Sequence, residues 1–505
     1  MARYAAIDIG SNSIRMEAAE VTPGQPTRIL ASDREVTRLG ESVFREGTVS
    51  EEALRYTCEV LSRMAALYRK VGVVGVRAVA TSAIRDTRNQ KEFLARASQA
   101  AGVPIEIISG REEARLIHLG VESAWPQQGK RTLVIDIGGG SAEIIASDDG
   151  RLRESFSKPL GAVRLKELFL ADDPPAARQL HLLHEYIQEK LESPVRHLGG
   201  THWHRAVATS ATAAAVAAAV DRSGNIDRRR VPTPRIRDLY AKLSERDLAG
   251  RRKVKGVGPR RAEIIVPGVA VLLGFLRSFH LAAVYYSRAG VRDGIIADLA
   301  ARNVGAELSR LSRDQRNEVE NMCRRYALPL DRVRKAAELS RLLFTSLQPL
   351  HELPPPVGKL IEAASCLLDT GHYVSGVGHH KHSYYLVSNS DMPGFTERER
   401  LFIAALCRYH RKSLPNPAHQ AFQLLTPEER RTLLLAIPIL RLADNLNRSH
   451  ERRVAGIECR LRDGQVQLTV RSDGDIDLEQ WGAARASEVF LEVYGRAVSI
   501  QKARD

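Results

Sequence analysis

Two short segments carry residue types that can grip phosphate. Ile7-Asp8-Ile9-Gly10-Ser11-Asn12-Ser13 and Ile135-Asp136-Ile137-Gly138-Gly139-Gly140-Ser141 have the same shape. Each is an apolar run that ends in a carboxylate and enters a turn of small, polar residues. Glycine and serine let backbone N–H groups approach phosphate oxygens, and the aspartate can hold a divalent cation or orient a water. One Asp-x-Gly turn is common at strand ends. Two of them, at the starts of successive domain-sized blocks, predict two similar half-sites facing each other across a cleft.

The elements around these turns read as alternating strands and helices. Strands are predicted at Tyr4–Ile9, Ile14–Val21, Thr27–Val36, Gly75–Ala80 and Ile105–Ile108, and helices at Ser50–Val71 and Asn89–Ala101. Ser50 is an N-cap candidate followed by Glu51 and Glu52. Gly110-Arg111-Glu112-Glu113 opens a further helix, with both glutamates in the first turn, where the helix dipole favours negative charge. The pattern restarts at Arg131 with strands at Thr132–Ile137 and Ala142–Ser147. Helices at Pro159–Leu170 and Pro175–Leu191, a strand at Arg205–Thr209 and a helix at Ala211–Val220 follow. Such a diverged duplication predicts two α/β lobes, each with its own sheet. From Arg302 helical periodicity takes over. Beyond Val454, two strand-like runs (Gly456–Leu461, Gln465–Val470) flank the hairpin signal Arg462-Asp463-Gly464, and a helix follows at Leu478–Tyr494.

Composition narrows the function classes. A chain of 505 residues exceeds one core, so two to four domains are expected. The most apolar stretch, Ala262–Leu276, is broken by Glu263, Pro267 and Gly268 and is too short to span a bilayer. With no apolar leader before the strand at Tyr4 and five scattered cysteines without C-x-x-C spacing, a reduced, cytoplasmic protein is expected, without membrane partners. The formal net charge is +15, and such a field attracts polyanions. Basic residues cluster between Asp221 and Arg261, including Arg229, Arg252 and Arg260, with Tyr240 as the lone aromatic. Binders of single-stranded nucleic acid interleave aromatics for stacking. Charge without stacking groups favours a polyanion that lacks bases, and no specific nucleic acid is expected.

Several motifs taken together resemble the exopolyphosphatase / guanosine pentaphosphate phosphohydrolase family. They are Asp8-Ile9-Gly10-Ser11-Asn12-Ser13, Ala80-Thr81-Ser82-Ala83-Ile84-Arg85-Asp86, Ile108-Ser109-Gly110-Arg111-Glu112-Glu113-Ala114-Arg115-Leu116 and Asp136-Ile137-Gly138-Gly139-Gly140-Ser141-Ala142-Glu143. Pro159–Leu165, Arg292-Asp293-Gly294 and His379–Tyr385 extend the match in the family's order. The resemblance implies an α/β fold of two actin-like (ribonuclease H-like, ASKHA) lobes, at 1–125 and 126–300. It further implies an all-α HD-like accessory domain at 301–450 and a small α+β C-terminal domain at 451–505. A homodimer is common in the family and is expected here.

The resemblance makes Glu113 the catalytic base, polarising the attacking water, and Glu112 a cap or helix-surface charge. Arg85 looks like a phosphate clamp, since a guanidinium fork suits bidentate contact with phosphate; the alternative is an ion pair with Asp86 or Glu112. Ser11, Asn12, Ser13, Gly138, Gly139, Gly140, Ser141, Thr209 and Ser210 are the expected phosphate-binding positions. Asp8, Asp136 and Glu143 are expected to hold Mg²⁺, as hard oxygen ligands. Arg229, Arg252 and Arg260 are expected to form a track for the polymer. Two departures bear on substrate. Ala211 replaces a usual glycine, which disfavours the nucleotide relative to a plain phosphate chain, and Ala142 replaces a usual threonine.

The helical domain departs further. Metal-using HD phosphohydrolases hold their ions with a His-Asp pair plus a distant histidine and aspartate. Here the pair position reads Leu368-Asp369, and no histidine lies near Arg332. Asp369, Asp444, His379, His380, His382 and His410 remain, and a binding or packing role is expected for them rather than a dinuclear centre. The leading expectation is hydrolysis of terminal phosphates from inorganic polyphosphate. The alternatives are hydrolysis of guanosine pentaphosphate and a non-hydrolytic nucleotide-binding regulator, against which the carboxylate of Glu113 argues.

Overall fold

The computed structural model describes residues 1–503 except 221–224, 303–308, 452, 463 and 473. The chain divides into two units, Met1–Arg302 and Asn303–Asp505.

The first unit begins with strands β1 (Ala2–Ile9), β2 (Ile14–Val21) and β3 (Arg28–Glu35), then helices α1 (Leu39–Glu46) and α2 (Glu51–Lys70). Strand β4 (Gly75–Ala80), helices α3 (Ser82–Asp86) and α4 (Gln90–Ala101), strand β5 (Ile105–Ile107) and helix α5 (Gly110–Ala124) complete the first block. The second block runs β6 (Arg131–Ile137), β7 (Ala142–Asp148), β8 (Arg151–Lys158), α6 (Ala162–Phe169), α7 (Ala177–Leu198), β9 (Arg205–Thr209) and α8 (Ser210–Val220). It continues with β10 (Arg230–Pro232), α9 (Thr233–Ser244), α10 (Leu248–Arg252), α11 (Ile265–Ser278), β11 (Ala283–Tyr286) and α12 (Val291–Arg302).

The two sheets have the same wiring. The first has the order β3-β2-β1-β4-β5, and the second, read from the same side, β8-β7-β6-β9-β11 with β10 added at the edge. In each, an antiparallel meander of three strands leads into parallel pairing, β1 with β4 and β6 with β9. The central strands are apolar on both faces, as strands covered on both sides must be. Ala5, Ile7 and Ile9 pack on α2 and α4, whereas Ala6 of the same strand faces α5 and α12. Leu133, Ile135 and Ile137 join the core under α7 and α11, and Val134 turns instead toward Ala114, Ile117 and Val121 of α5. Helix α5 therefore contributes to the cores of both sheets. Helix α12, which ends the second block, packs beside it and against β1, β2 and β4 of the first sheet.

The second unit is helical and then mixed. It holds α13 (Arg313–Arg325), α14 (Leu330–Ser346), α15 (Gln348–His351), α16 (Pro356–Leu367), a 3₁₀ turn (Thr370–Tyr373), α17 (His379–Ser388), α18 (Glu397–Tyr409), α19 (Gln420–Gln423) and α20 (Pro427–Asn445). Strands β12 (Val454–Arg462) and β13 (Gln465–Ser472), helix α21 (Asp477–Tyr494) and strand β14 (Ala497–Lys502) close the chain. β13 pairs antiparallel with β12 and parallel with β14. Asp463 of the expected hairpin turn lies outside the described residues. Among the described residues no helix is long and apolar enough to cross a membrane.

Candidate active site

Strand register places the functional carboxylates. Asp8 lies one residue before the end of β1, opposite Arg15 on β2. Asp136 lies at the equivalent position of β6, opposite Glu143 on β7. The two turns close with the same bond: Gly10 N–H donates to Ser13 O at 3.2 Å, and Gly138 N–H to Ser141 O at 3.0 Å. The hairpins are thus equivalent in backbone and different in charge. The first offers a carboxylate and a guanidinium, the second two carboxylates.

The turns face each other and touch. A Cβ added to Gly139 would lie 3.0 Å from Cβ of Ser11, and one on Gly140 would lie 2.5 Å from Oγ of Ser82. Only glycine allows this approach. Arg164 of α6 strengthens the junction: its Nε donates to the Gly140 carbonyl at 2.8 Å, and its other end reaches Ser82 and Asp86 of the first lobe. A cleft of about 1320 Å³ opens beside the contact, lined by Asp8, Gly10–Ser13, Glu113, Asp136, Gly138–Ser141 and Ser210.

Glu113 reaches this cleft from the first turn of α5, whose N-cap Ser109 accepts from Glu112 N–H at 3.1 Å. Arg85 donates to Glu113 Oε2 at 3.0 Å and to the Ile108 carbonyl at 2.7 Å. Burial raises the Glu113 carboxyl above its ordinary range, and the charges of Asp8 and Asp136 raise it further against the pull of Arg85. Glu143 is raised well above its ordinary range by burial, then by Glu113 and Asp136. Burial also raises Asp8 and Asp136. Glu143 Oε1 accepts from Ser157 at 2.8 Å, while its buried Oε2 has no partner among the described residues. Asp8 and Asp136 line the cleft and offer hard oxygen ligands, but Glu143 does not line it, and among the described residues the three expected metal ligands do not gather within ligand distance of one another.

Other unsatisfied groups share the cleft. Ser11 Oγ, Asn12 Nδ2 and Ser210 Oγ are shielded from solvent and unpartnered among the described residues. Ser210 also adopts φ +82°, a left-handed conformation rare for a residue with a side chain. Around them stand Arg15, Arg34, Arg260, Arg261 and Arg292. Burial and the charges of Arg15 and Arg34 lower Arg261 to about 9. Burial and the charges of Arg15, Arg260 and Arg292 lower Arg34 to about 10. These arginines repel one another.

The structure redistributes several expected roles. Of the proposed track, Arg260 lines the cleft, but Arg229 and Arg252 do not. Arg229 bonds to the Asn225 carbonyl and Arg252 stands 3.7 Å from Glu263. The cationic wall also takes in Arg261, beside Arg260 in the basic cluster, and Arg15, Arg34 and Arg292, which lie singly in sequence where no local charge run marks them. Thr209 lies behind the cleft, its hydroxyl donating to Asp136. Arg85 does not line the cleft; it holds Glu113 rather than Asp86 or Glu112. Glu112 is no surface charge. It is 4% exposed and bonded to Arg77 and Arg115, which also grip Asp298 of α12.

Comparison with known proteins agrees with this architecture. The model of the Ppx/GppA phosphatase family matches residues 18–303, and that of Ppx/GppA phosphatase domain III matches residues 315–480. A Ppx/GppA family member from Aquifex aeolicus is 28% identical, over 60% of this chain and 99% of its own, with a TM-score of 0.53. An exopolyphosphatase-like protein is 27% identical over 60% of this chain and 98% of its own, with a TM-score of 0.57. An exopolyphosphatase from Cytophaga hutchinsonii shares the fold, at 23% identity over 59% of this chain and 98% of its own, with a TM-score of 0.56. With both family models matched in succession and the duplicated actin-like sheets in place, the chain belongs to the Ppx/GppA phosphatase family.

Proposed function

We propose that this phosphatase is an exopolyphosphatase, which removes orthophosphate from the end of inorganic polyphosphate. The observation that carries the reading is the set of unpartnered donors beside mutually repelling arginines, around one buried carboxylate. An extended polyanion satisfies the donors and relieves the repulsion together.

In this reading the two glycine turns, Ser11, Asn12 and Ser210 hold the terminal phosphoryl group. Arg15, Arg34 and Arg261 hold the phosphates behind it. Glu113, in its ionised form, takes a proton from the water whose oxygen attacks the terminal phosphorus. The bridging oxygen leaves with the shortened chain. Arg85 positions Glu113 and favours its ionised form. Asp8 and Asp136, the carboxylates that line the cleft, would hold Mg²⁺, which neutralises charge on the phosphate oxygens when bound.

A second reading, hydrolysis of guanosine pentaphosphate, has its own support. Ala214, Ala215 and Ala218 of α8 give the cleft an apolar wall against which a base could rest. Phosphate release from long polyphosphate, short polyphosphate, guanosine pentaphosphate and ATP, each with and without Mg²⁺, tests both. Mg²⁺-dependent release fastest from long polyphosphate is expected. Release from the pentaphosphate alone would replace the first reading with the second, and release from neither would end both.

A further inference from the structure

The second unit gathers chemistry that the phosphate cleft does not use. Asp369 lies between α16 and the 3₁₀ turn, His379 opens α17, and His410 directly follows α18. One ligand atom from each falls within 4.8 Å of the others. His379 and His410 are buried. Their Nε2 atoms face each other at 3.3 Å, and Asp369 Oδ1 is 3.7 Å from His379 Nε2.

The surroundings orient these groups inward. His410 Nδ1 lies 2.7 Å from the Cys407 carbonyl, which fixes the proton on Nδ1 and leaves a lone pair on Nε2. The Gly376 carbonyl lies 3.3 Å from His379 Nδ1. Backbone carbonyls hold metal-bound imidazoles in this manner. Arg332 pairs with Asp369 Oδ2, so Oδ1 is left on the side of the histidines. The two Nε2 atoms, 3.3 Å apart, can share either a proton or a metal cation. Two nitrogens bound to one tetrahedral zinc at ~2.0–2.1 Å stand ~3.3–3.4 Å apart. Arg411 Nη1 approaches the His379 nitrogens at 3.2 and 3.4 Å; the residue is exposed, so its guanidinium can swing into solvent as a cation enters.

We infer that Asp369, His379 and His410 form a mononuclear site for a divalent transition metal of the zinc class. Two imidazoles and one carboxylate select zinc and its neighbours over Mg²⁺. The fourth position is open to water or to His372, whose Nε2 is 3.6 Å from Asp369 Oδ1. This differs from the two-ion centre that the absent ligands argue against, because one ion needs only the three groups present.

Zinc alone is the probe. The full-length protein is stripped with a chelator, titrated with Zn²⁺ in excess Mg²⁺ to occupy the oxygen-rich cleft, and compared with His379→Gln and His410→Gln. One tight equivalent per chain is expected in the wild type, with affinity falling at least a hundredfold in each variant while the circular dichroism spectrum is unchanged. Absence of that equivalent, or its survival in both variants, overturns the proposal. Should the variants fail to fold, X-ray absorption of the zinc-loaded wild type decides. Two imidazole scatterers support the site, and a shell of oxygens alone refutes it.

Discussion

Glu112 and Glu113 are neighbours in sequence and opposites in environment. Helical geometry turns successive residues about a quarter-turn apart, so Glu112 enters a nest of arginines while Glu113 faces the cleft. The carboxyl of Glu112 is held below its ordinary value by Arg115 and Arg77, although burial acts against this; that of Glu113 is raised, chiefly by burial. Glu113→Gln removes the proton acceptor and keeps the shape. Phosphate release should fall about 10²–10⁴-fold, with polyphosphate binding retained, as measured by turnover and equilibrium binding on the same preparation. Replacing Arg34 and Arg261 together by alanine should raise KM for long chains about tenfold or more, and flatten its dependence on salt. Initial rates at two ionic strengths check this, and unchanged salt dependence would remove those arginines from the polymer site.

Helix α5 has a harder task than most, because it serves two cores and carries the proposed base, Glu113. It meets α12 at glycines. A Cβ on Gly294 would lie 1.8 Å from the Leu116 carbonyl, and one on Gly120 would lie 2.2 Å from the Gly290 carbonyl. Gly294→Ala must therefore push two backbones apart. A loss of about 3 kcal/mol or more is expected, read from denaturant unfolding, together with a drop in turnover as Glu113 moves. The opening of α5 was legible from sequence, since Ser109, Gly110 and two glutamates in the first turn mark a start. Strands β2, β4 and β9 match their expected limits, each an apolar run that includes at least one charged residue. Strands β8, β10 and β11 were not legible. β8 (Arg151–Lys158) is polar at six of its eight positions, and β10 and β11 are only three and four residues long, so sheet pairing rather than local pattern makes them strands. The convergence of Arg15, Arg34 and Arg261 also depends on tertiary folding that no spacing rule reports.

Across the first unit, one buried network ties distant parts of the chain. Asp298 accepts from Arg77 at 3.1 Å, Arg115 at 2.9 Å and Arg302 at 2.7 Å, joining β4, α5 and α12. Its carboxyl is held well below the ordinary value by Arg115, Arg302 and Arg77, which overcome the cost of burial. A carboxylate depressed in the folded state stabilises above its unfolded pKa of about 4, and that contribution is lost as pH falls through the folded value. Asp298→Asn should cost about 3–5 kcal/mol near neutrality. The gap in unfolding temperature between variant and wild type should narrow as the medium is acidified below about pH 4. A gap that stays constant would show that the charge of Asp298 is not what stabilises the network.

Because Gly139 and Gly140 rest directly on Ser11 and Ser82, the lobes are joined at the proposed phosphate seats. Any hinge-like parting of the halves must separate both seats in one stroke. Capture of an anion and its discharge are thereby the two directions of a single movement, and a product held by both turns leaves only when that seam breaks.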